Sequence, residues 1–320
     1  MRAALTSLAL AIFVGLHPAQ AKPAAPTAQL ERADADEPPL IAYALELNHD
    51  DSASQLATAA RLRAANHEMT RDPPPPDTDC ARTLGANRFA GRHSRLASIE
   101  LALGDYEAAI KANESALACT PRDASLYASI ASADLSLGRI AEARAAVERG
   151  YSIDPEDENV QELRARVDFV QERWADATSR FRIWILPKNT GDLLTYQECF
   201  LWLAQRRAGM LHPELPPRPD DHDKPRKKSW PAQVLELLEG EMSEAALVQV
   251  IRDEAEGDQP REWLTEALYY VGELRLAEGD VETARKHFAS VVNLRVLNFV
   301  EYGMARAELA RMRERAEAAR

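Results

Sequence analysis

Residues 90–123 of the chain read AGRHSRLASIELALGDYEAAIKANESALACTPRD, and residues 124–157, which follow without a gap, read ASLYASIASADLSLGRIAEARAAVERGYSIDPED. The two stretches have equal length, so the chain repeats here at a period of 34 residues. When they are superposed, the positions that carry the same residue type include Ala97 and Ala131, Gly104 and Gly138, Ala109 and Ala143, and Pro121 and Pro155. Independent amphipathic helices in a bundle would not need four such coincidences, and the pattern therefore indicates a repeated structural unit.

Each unit contains the residues that a pair of packed helices requires. The alanines allow two helix backbones to approach closely, and the glycines allow the chain to reverse because glycine accepts a positive φ without penalty. The prolines end the second helix of each unit, since proline lacks the backbone donor and clashes with the preceding turn. We therefore expect one helix hairpin in each unit.

The period and the pattern resemble those of the tetratricopeptide repeat (TPR). The resemblance implies an all-α fold, an α-α superhelical solenoid of TPR-type helix hairpins stacked one on the next. A third unit, residues 158–191, continues in register with Ala165 and Phe181, but it has Glu172 at the position of the glycine and lacks the closing proline. We interpret it as a degenerate repeat, so that residues 90–191 contain three TPR units.

The rest of the C-terminal part divides at a polar segment. Residues 192–208 are expected to form a helix that packs on the third unit. Residues 209–229 contain five prolines and a cluster of each charge, and we predict a flexible loop there. In residues 230–320 the repeat pattern returns, and Ser243 is expected to cap a helix. We predict a TPR-like module there, followed by a last, capping helix that covers the open end of the stack.

The N-terminal part has a different organisation. Met1-Arg2, the apolar run at residues 3–16 and the sequence Ala-Gln-Ala at residues 19–21 form the three-part pattern of a secretory signal peptide. We predict that residues 1–21 are cleaved and that the protein is periplasmic, with secretion from the cell as the alternative. Residues 22–89 are expected to form a linker and capping helices.

The composition argues against several kinds of partner and site. The formal net charge is −12, and an acidic chain without a large basic face is a poor ligand for nucleic acid, whose affinity comes mainly from phosphate neutralisation. The apolar run at residues 3–16 is too short to span a membrane comfortably, and no second segment is long and apolar enough to cross one. No nucleophile elbow, phosphate-binding loop, zinc-protease motif or paired-cysteine metal site occurs in the sequence. We therefore predict a protein that is not an enzyme and has no catalytic, cofactor-binding or metal-binding residues.

The three cysteines leave the disulfide pairing open. Cys80 lies in a loop before the first repeat and Cys119 lies near the end of that repeat, whereas Cys199 falls in a segment that is typical of a buried helix. In an oxidising compartment we expect Cys80 and Cys119 to pair. The alternative is three unbridged thiols.

The C-terminal third carries a more specific similarity. Trp230-Pro231, residues 266–273 (EALYYVGE) and residues 298–302 (NFVEY) resemble the closing module of the NlpI-like bacterial envelope proteins. The resemblance implies an adaptor that faces the periplasm and presents envelope proteins to partner enzymes, such as a tail-specific protease or peptidoglycan hydrolases. Two features differ from that family: Lys22, not a lipoprotein cysteine, follows the cleavage site, and residues 209–229 form an insertion.

The fold predicts a binding surface. A solenoid of hairpins curves, and the first helix of each hairpin lines an extended concave groove. By the register of the repeats, this groove is expected to be lined by Ser94, Ser98, Leu101, Ala128, Ser132, Leu135, Glu162, Arg166, Phe169, Tyr269, Glu273 and Leu276. An extended or helical peptide suits this lining. Packing between repeats explains Phe169 and Tyr269 equally well, because aromatic residues also dominate protein cores.

Three function classes follow from these observations. The leading hypothesis is a periplasmic adaptor or scaffold that binds protein or peptide partners in the cell envelope. A self-associating structural component, such as a homodimer, is the alternative, and an exposed apolar stripe on the last helix would favour it. An enzyme would need a constellation of titrating groups in the groove, for which the sequence gives no indication.

Overall fold

The structure is a computed structural model that describes residues 37–48, 61, 64, 86–184, 191–216 and 229–320. The described residues belong to one compact unit, Glu37–Arg320. The predicted signal peptide at residues 1–21 and most of the predicted flexible loop at residues 209–229 lie outside the described residues.

Within these ranges the chain forms thirteen α-helices and no strand, which confirms the predicted all-α fold. In chain order the helices are α1 (Pro39–Asn48), α2 (Ala86–Leu103), α3 (Tyr106–Cys119), α4 (Ala124–Ser136), α5 (Ile140–Ile153), α6 (Glu158–Val170), α7 (Trp174–Trp184), α8 (Gly191–Arg207), α9 (Trp230–Leu238), α10 (Glu244–Glu254), α11 (Gln259–Ala277), α12 (Val281–Leu294) and α13 (Val300–Ala318). None of these helices has the length and apolar character that a membrane crossing requires.

Neighbouring helices pack in pairs along the chain. Helices α2 and α3, α4 and α5, α6 and α7, and α11 and α12 form hairpins. The first hairpin contacts the second and the second contacts the third, and α8 joins the third hairpin to α11. This arrangement is a TPR-type helical solenoid, as the period of the sequence predicts.

The turn inside a hairpin has the same backbone conformation in all three repeats. Gly104 and Gly138 have φ angles of 75° and 74°, and Glu172 at the equivalent position has a φ of 58°. The third repeat thus keeps the left-handed conformation although it lacks the glycine that would adopt it without penalty. The corresponding turn of the closing hairpin has Gly279 with a φ of 84°.

Side-chain caps define where several helices begin. Asp105 and Asp157 each accept a hydrogen bond of 3.0 Å from the backbone N–H three residues later, at the starts of α3 and α6. Ser243 accepts one of 3.2 Å from the N–H of Ala246, which confirms the predicted cap of α10. Each bond satisfies one of the backbone donors that remain unpaired at a helix N-terminus.

Small residues bring the helices of a hairpin together. The four alanines predicted for this role are fully buried: Ala97, Ala109, Ala131 and Ala143. In the closing hairpin Gly272 holds the equivalent position, and a β-carbon on it would lie 2.7 Å from Cε1 of Phe288. The backbone of α11 therefore lies directly against an aromatic ring of α12.

An aromatic cluster joins the third repeat to the closing hairpin. The ring of Phe200 on α8 lies 5.4 Å from that of Phe181 on α7 and 5.4 Å from that of Tyr270 on α11, measured between centroids. Phe169 on α6 is 6.4 Å from the same ring. All four side chains are buried, so α8 connects the repeats to the C-terminal module through one continuous core.

The last helix, α13, contacts both the end of the stack and the first helices of earlier hairpins. It packs on α12, the last helix of the closing hairpin, as a capping helix would. It also returns to α4, α6 and α11, which are the first helices of three hairpins. Helix α13 therefore lies on the surface that the first helices share, a placement that the sequence did not predict.

Candidate protein-binding groove

The predicted groove residues lie on α2, α4, α6 and α11, and we call the surface that these first helices share the groove face. Half of the predicted residues are exposed or half-buried: Ser94, Ser98, Leu101, Ser132, Glu162 and Leu276. The other half are buried: Ala128, Leu135, Arg166, Phe169, Tyr269 and Glu273. The groove face thus has an open part, which a partner can reach, and a covered part.

Helix α13 contributes to the covered part. The hydroxyl of Tyr269 on α11 donates a hydrogen bond to Sδ of Met304 on α13, over 3.6 Å. The hydroxyl of the neighbouring Tyr270 donates one to Oε1 of Glu301, over 3.2 Å. Tyr269, a predicted groove residue, therefore contacts a helix of the same chain.

Phe169 and Tyr269 also take part in packing within and between the hairpins, since their rings lie 6.4 Å and 6.2 Å from that of Phe200 on α8. The ring of Phe169 lies 5.2 Å from that of Trp174 and 6.3 Å from that of Phe181, and the ring of Tyr269 lies 5.9 Å from that of Phe288. Both side chains are fully buried. The packing role that the sequence left open applies to both residues in this structure, and neither ring is accessible to a partner in this state.

Small residues allow α13 to lie close to the second hairpin. A β-carbon on Gly303 would lie 2.6 Å from Oγ of Ser136, at the end of α4. A β-carbon on Gly138, in the turn that follows α4, would lie 3.1 Å from Cβ of Ala310. A bulky side chain at either glycine would therefore push α13 away from the groove face.

Charged residues hold the second half of α13, and we call them the ionic cluster: Glu172, Arg207, Glu273, Glu308, Arg311 and Arg315. Glu172, in the turn of the third hairpin, forms ion pairs with Arg311 and Arg315 of α13. Its carboxylate also lies 3.3 Å from Arg207 of α8, which in turn lies 3.1 Å from Glu273 of α11. The ionic cluster thus connects the third hairpin, α8, α11 and α13.

Burial changes the protonation behaviour of the ionic cluster. Burial raises the carboxyl pKa of Glu273 to about 7, although Arg207 opposes the rise. Burial also raises the pKa of Glu308 well above its ordinary value, and the charge of Glu273 adds to the rise. The pKa of the Arg311 guanidinium is lowered to about 10 by burial, with a contribution from Arg315. A carboxyl group under α13 therefore titrates near neutral pH.

A second set of buried carboxyls lies near the first half of α13. Oε2 of Glu266 accepts hydrogen bonds from the hydroxyl of Tyr196 (2.8 Å) and from Nε1 of Trp230 (2.6 Å). Burial and the charge of Glu301 raise the pKa of Glu266 well above its ordinary value, and burial raises that of Glu301 against the opposing charge of Arg166. Both residues are only 7% exposed, so these carboxyl groups lie between packed helices.

Two signals in the sequence could have placed α13 on the groove face. Gly303 lies inside the helix, where glycine costs about 1 kcal/mol relative to alanine and so needs a packing reason. Glu301 and Glu308 are seven residues apart, as are Glu266 and Glu273 on α11. In the structure the two pairs of carboxyl groups are buried between α11 and α13, where Glu301 lies near Glu266 and Glu308 lies near Glu273.

The cysteines are described in part. Cys119 is disulfide-bonded. Cys80 lies outside the described residues, so the Cys80–Cys119 pairing stays a prediction. Cys199 is a buried thiol on α8, as predicted, and its Sγ lies 3.8 Å from the carbonyl oxygen of Pro231.

The comparison with protein families agrees with this geometry. The family model of the tetratricopeptide repeat matches residues 100–167, from the end of α2 to most of α6. The matched stretch contains Gly104 and Gly138, the two glycines of the left-handed turns. Repeats of this kind stack into scaffolds that present a surface for binding, and they are typically not catalytic. The helix hairpins of residues 100–167 are tetratricopeptide repeats, which indicates a role in protein–protein interaction.

Proposed function

We propose that the chain is an exported TPR adaptor that binds protein partners in the cell envelope and presents envelope proteins to a protease or a peptidoglycan hydrolase. The repeats at residues 100–167 support the binding role. The signal-peptide pattern at residues 1–21 supports export to the periplasm. The resemblance of residues 266–273 and 298–302 to the closing module of NlpI-like proteins supports the envelope setting.

One observation carries this proposal: the groove face already holds a helix. Helix α13 lies against α4, α6 and α11, where tyrosine hydroxyls, small residues and charged groups receive it. An amphipathic helix in a groove is a recurring mode of peptide recognition, in which side chains at helical spacing supply the contacts. The half-buried and exposed residues on α2, such as Ser94 and Ser98, extend the same face beyond the buried part.

Self-association through the last helix has less support. An exposed apolar stripe on α13 would favour it. Residues 313–320 are the exposed part of that helix and its end, and they consist of arginine, glutamate and alanine. Large apolar side chains, which dominate the cores of dimer interfaces, do not occur in this stretch.

Crosslinking capture from the envelope of the native host tests the adaptor function. The bait is the mature chain from Lys22, compared with a variant that carries Ser94→Glu and Ser98→Glu on the open part of the groove face. A control with Ala118→Glu and Ala145→Glu places the same charge on exposed positions of the second helices α3 and α5.

We expect the wild type and the control to capture a protease or a wall hydrolase, and the groove variant to lose it. Recovery of the chain alone from all three baits would contradict the adaptor function and favour self-assembly. Equal capture by all three would support an adaptor whose partners do not use the groove face.

A further inference from the structure

The side of α13 that faces the hairpins is unusual for a core helix. Its buried residues are Glu301, Tyr302, Gly303, Met304, Ala305, Ala307, Glu308 and Arg311, and none of them is leucine, isoleucine or valine. Helix α9, about half as long, buries Val234, Leu235, Leu237 and Leu238. Tyr302, Met304, Ala305 and Ala307 belong to the main hydrophobic core, so α13 is held by apolar contacts together with buried charged groups, and it has no fully buried branched aliphatic side chain.

The charged part of this interface contributes little net stability. Burial of a charged group costs free energy that its ion pairs only partly offset, so buried ion pairs often add little net stability. Glu308 is fully buried, and its Oε1 accepts no hydrogen bond from any described residue. Glu273, whose charge raises the pKa of Glu308, lies across from it on α11. These charged contacts therefore do little to hold α13 against a second ligand that offers the same apolar contacts.

The groove face also supplies a matching group for each feature of α13. Glu301 meets the hydroxyl of Tyr270 and the positive field of Arg166. Glu308, seven residues later, lies in the field of Arg207. Between them the absence of a side chain at residue 303 leaves room for Ser136. The face thus accommodates a helix with two carboxyl groups seven residues apart and a small residue two positions after the first.

We propose that α13 is a displaceable occupant of the groove face and that a partner of the adaptor binds there through a helix with this same pattern. The inference rests on the proposed adaptor function and names the kind of partner that the function requires. Displacement can begin at residues 316–320, which are exposed and follow Arg315, the last residue of α13 that forms an ion pair with Glu172. While α13 is in place, its high effective concentration keeps weak ligands out.

A reversible crosslink tests whether α13 closes the site. An ideal β-carbon on Gly303 lies 3.6 Å from Cβ of Ser136, within the usual disulfide range of about 3.5–4.5 Å. The variant Ser136→Cys/Gly303→Cys therefore locks α13 in place when it is oxidised. When it is reduced, the larger side chain at residue 303 loosens α13. The wild type and Ser136→Cys alone, each oxidised and reduced, control for the native cysteines.

The probe is a fluorescein-labelled synthetic peptide with the sequence of residues 298–320, and binding is followed by fluorescence anisotropy. We expect the reduced double variant to bind the peptide at least about tenfold more tightly than the oxidised one, a difference of about 1.4 kcal/mol. A peptide with Glu301→Lys and Glu308→Lys should bind at least about tenfold more weakly than the native peptide. Circular dichroism of both redox forms checks that the repeats stay folded.

Three results would overturn the proposal. Equal affinity of the folded oxidised and reduced forms would mean that α13 does not close the site. Equal binding of the lysine peptide would mean that the carboxyl pattern is not recognised. A reduced form that elutes as a dimer and does not bind the peptide would assign the face to α13 of a second copy. Envelope capture with the oxidised variant separates this proposal from the adaptor function. If the oxidised variant, with α13 locked in place, still captures the partners, the adaptor function is supported but partner binding by displacement of α13 is contradicted.

Discussion

Glu172 in the turn of the third hairpin forms an ion pair with Arg315 on the last helix, although the two residues are far apart in the sequence. The backbone of Glu172 has a φ of 58°, where the two preceding repeats have Gly104 and Gly138. The left-handed conformation costs a residue with a side chain about 1–2 kcal/mol, and a glycine would avoid this cost. A glycine would also remove the carboxylate that meets Arg311 and Arg315. The loss of the repeat glycine therefore has a structural reason, since it ties α13 to the groove face.

The first prediction follows from these two opposing effects of a glycine at residue 172. The substitution Glu172→Gly relieves the strain in the turn but removes the ion pairs to α13. Because each of the two partly exposed ion pairs contributes up to about 1 kcal/mol, we expect the amides of α13 to exchange with deuterium up to about tenfold faster, while those of α6 and α7 exchange no faster. Hydrogen–deuterium exchange with mass spectrometry measures both. Glu172→Asn is the control, since asparagine tolerates the left-handed conformation but carries no charge. Unchanged exchange of α13 in this variant would show that the ion pairs do not hold it.

Two glycines inside helices should respond in opposite ways to alanine. A β-carbon at Gly272 would lie 2.7 Å from the ring of Phe288, whereas at Gly91 it would meet nothing within 4 Å. We expect Gly272→Ala to lower the free energy of unfolding by about 1–3 kcal/mol through overpacking. Gly91→Ala should raise it by about 0.5–1 kcal/mol, because alanine favours the helix. Urea denaturation followed by circular dichroism compares the two variants with the wild type. A stabilised Gly272→Ala protein would show that the ring moves aside without cost.

The hairpins could be predicted from the sequence because their requirements are local. A small residue at each close approach, a residue that can adopt a positive φ at each turn and a proline after the second helix recur at a fixed spacing. The spacing located the third turn correctly even where Glu172 replaces glycine. Burial of Ala97 and Ala131 follows from the same register.

The position of α13 could not be predicted from the same rules. Its contacts with α4 and α11 join residues far apart in the chain, and no repeat period relates them. Its facing side chains, such as Glu301 and Glu308, are of types that usually lie on a solvated face. The sequence predicted a groove lined by Phe169 and Tyr269, but it did not show that the chain covers part of that surface itself.

The third prediction concerns pH. Glu273 has a pKa of about 7 when it is buried under α13, against an ordinary value of 4.5, so the docked state binds more protons between these values. Stability of the docked helix is therefore fully present below about pH 4.5 and decreases as the pH rises through about 7. We expect the protection factors of α13 amides, corrected for intrinsic exchange at each pH, to fall by at least about tenfold between pH 5 and pH 8.

The charged surroundings of Glu273 define the control for this prediction. Arg207 faces it from α8, Glu308 faces it from α13, and the hydroxyl of Tyr269 lies beside it on α11. Arg315 lowers the pKa of Glu308, and Glu172 pairs with both arginines from the hairpin turn. The variant Glu273→Gln carries no charge at any pH, so its protection factors should depend much less on pH. If this variant kept the full dependence, the titrating group would be another member of the ionic cluster.

The last prediction distinguishes a neutral buried carboxyl from a charged one. Glu266 accepts hydrogen bonds from Tyr196 and Trp230, and burial raises its pKa well above the ordinary value, which favours the neutral carboxyl group. The amide of Glu266→Gln has the same shape and keeps the acceptor oxygen, and the free energy of unfolding should change by less than about 1 kcal/mol at pH 7. Glu266→Ala leaves two buried donors without a partner and a cavity, and should cost about 2–4 kcal/mol. Urea denaturation at pH 7 compares the two variants. A loss for Glu266→Gln as large as that for Glu266→Ala would mean that the carboxyl is ionised in the folded protein and that its charge stabilises the fold.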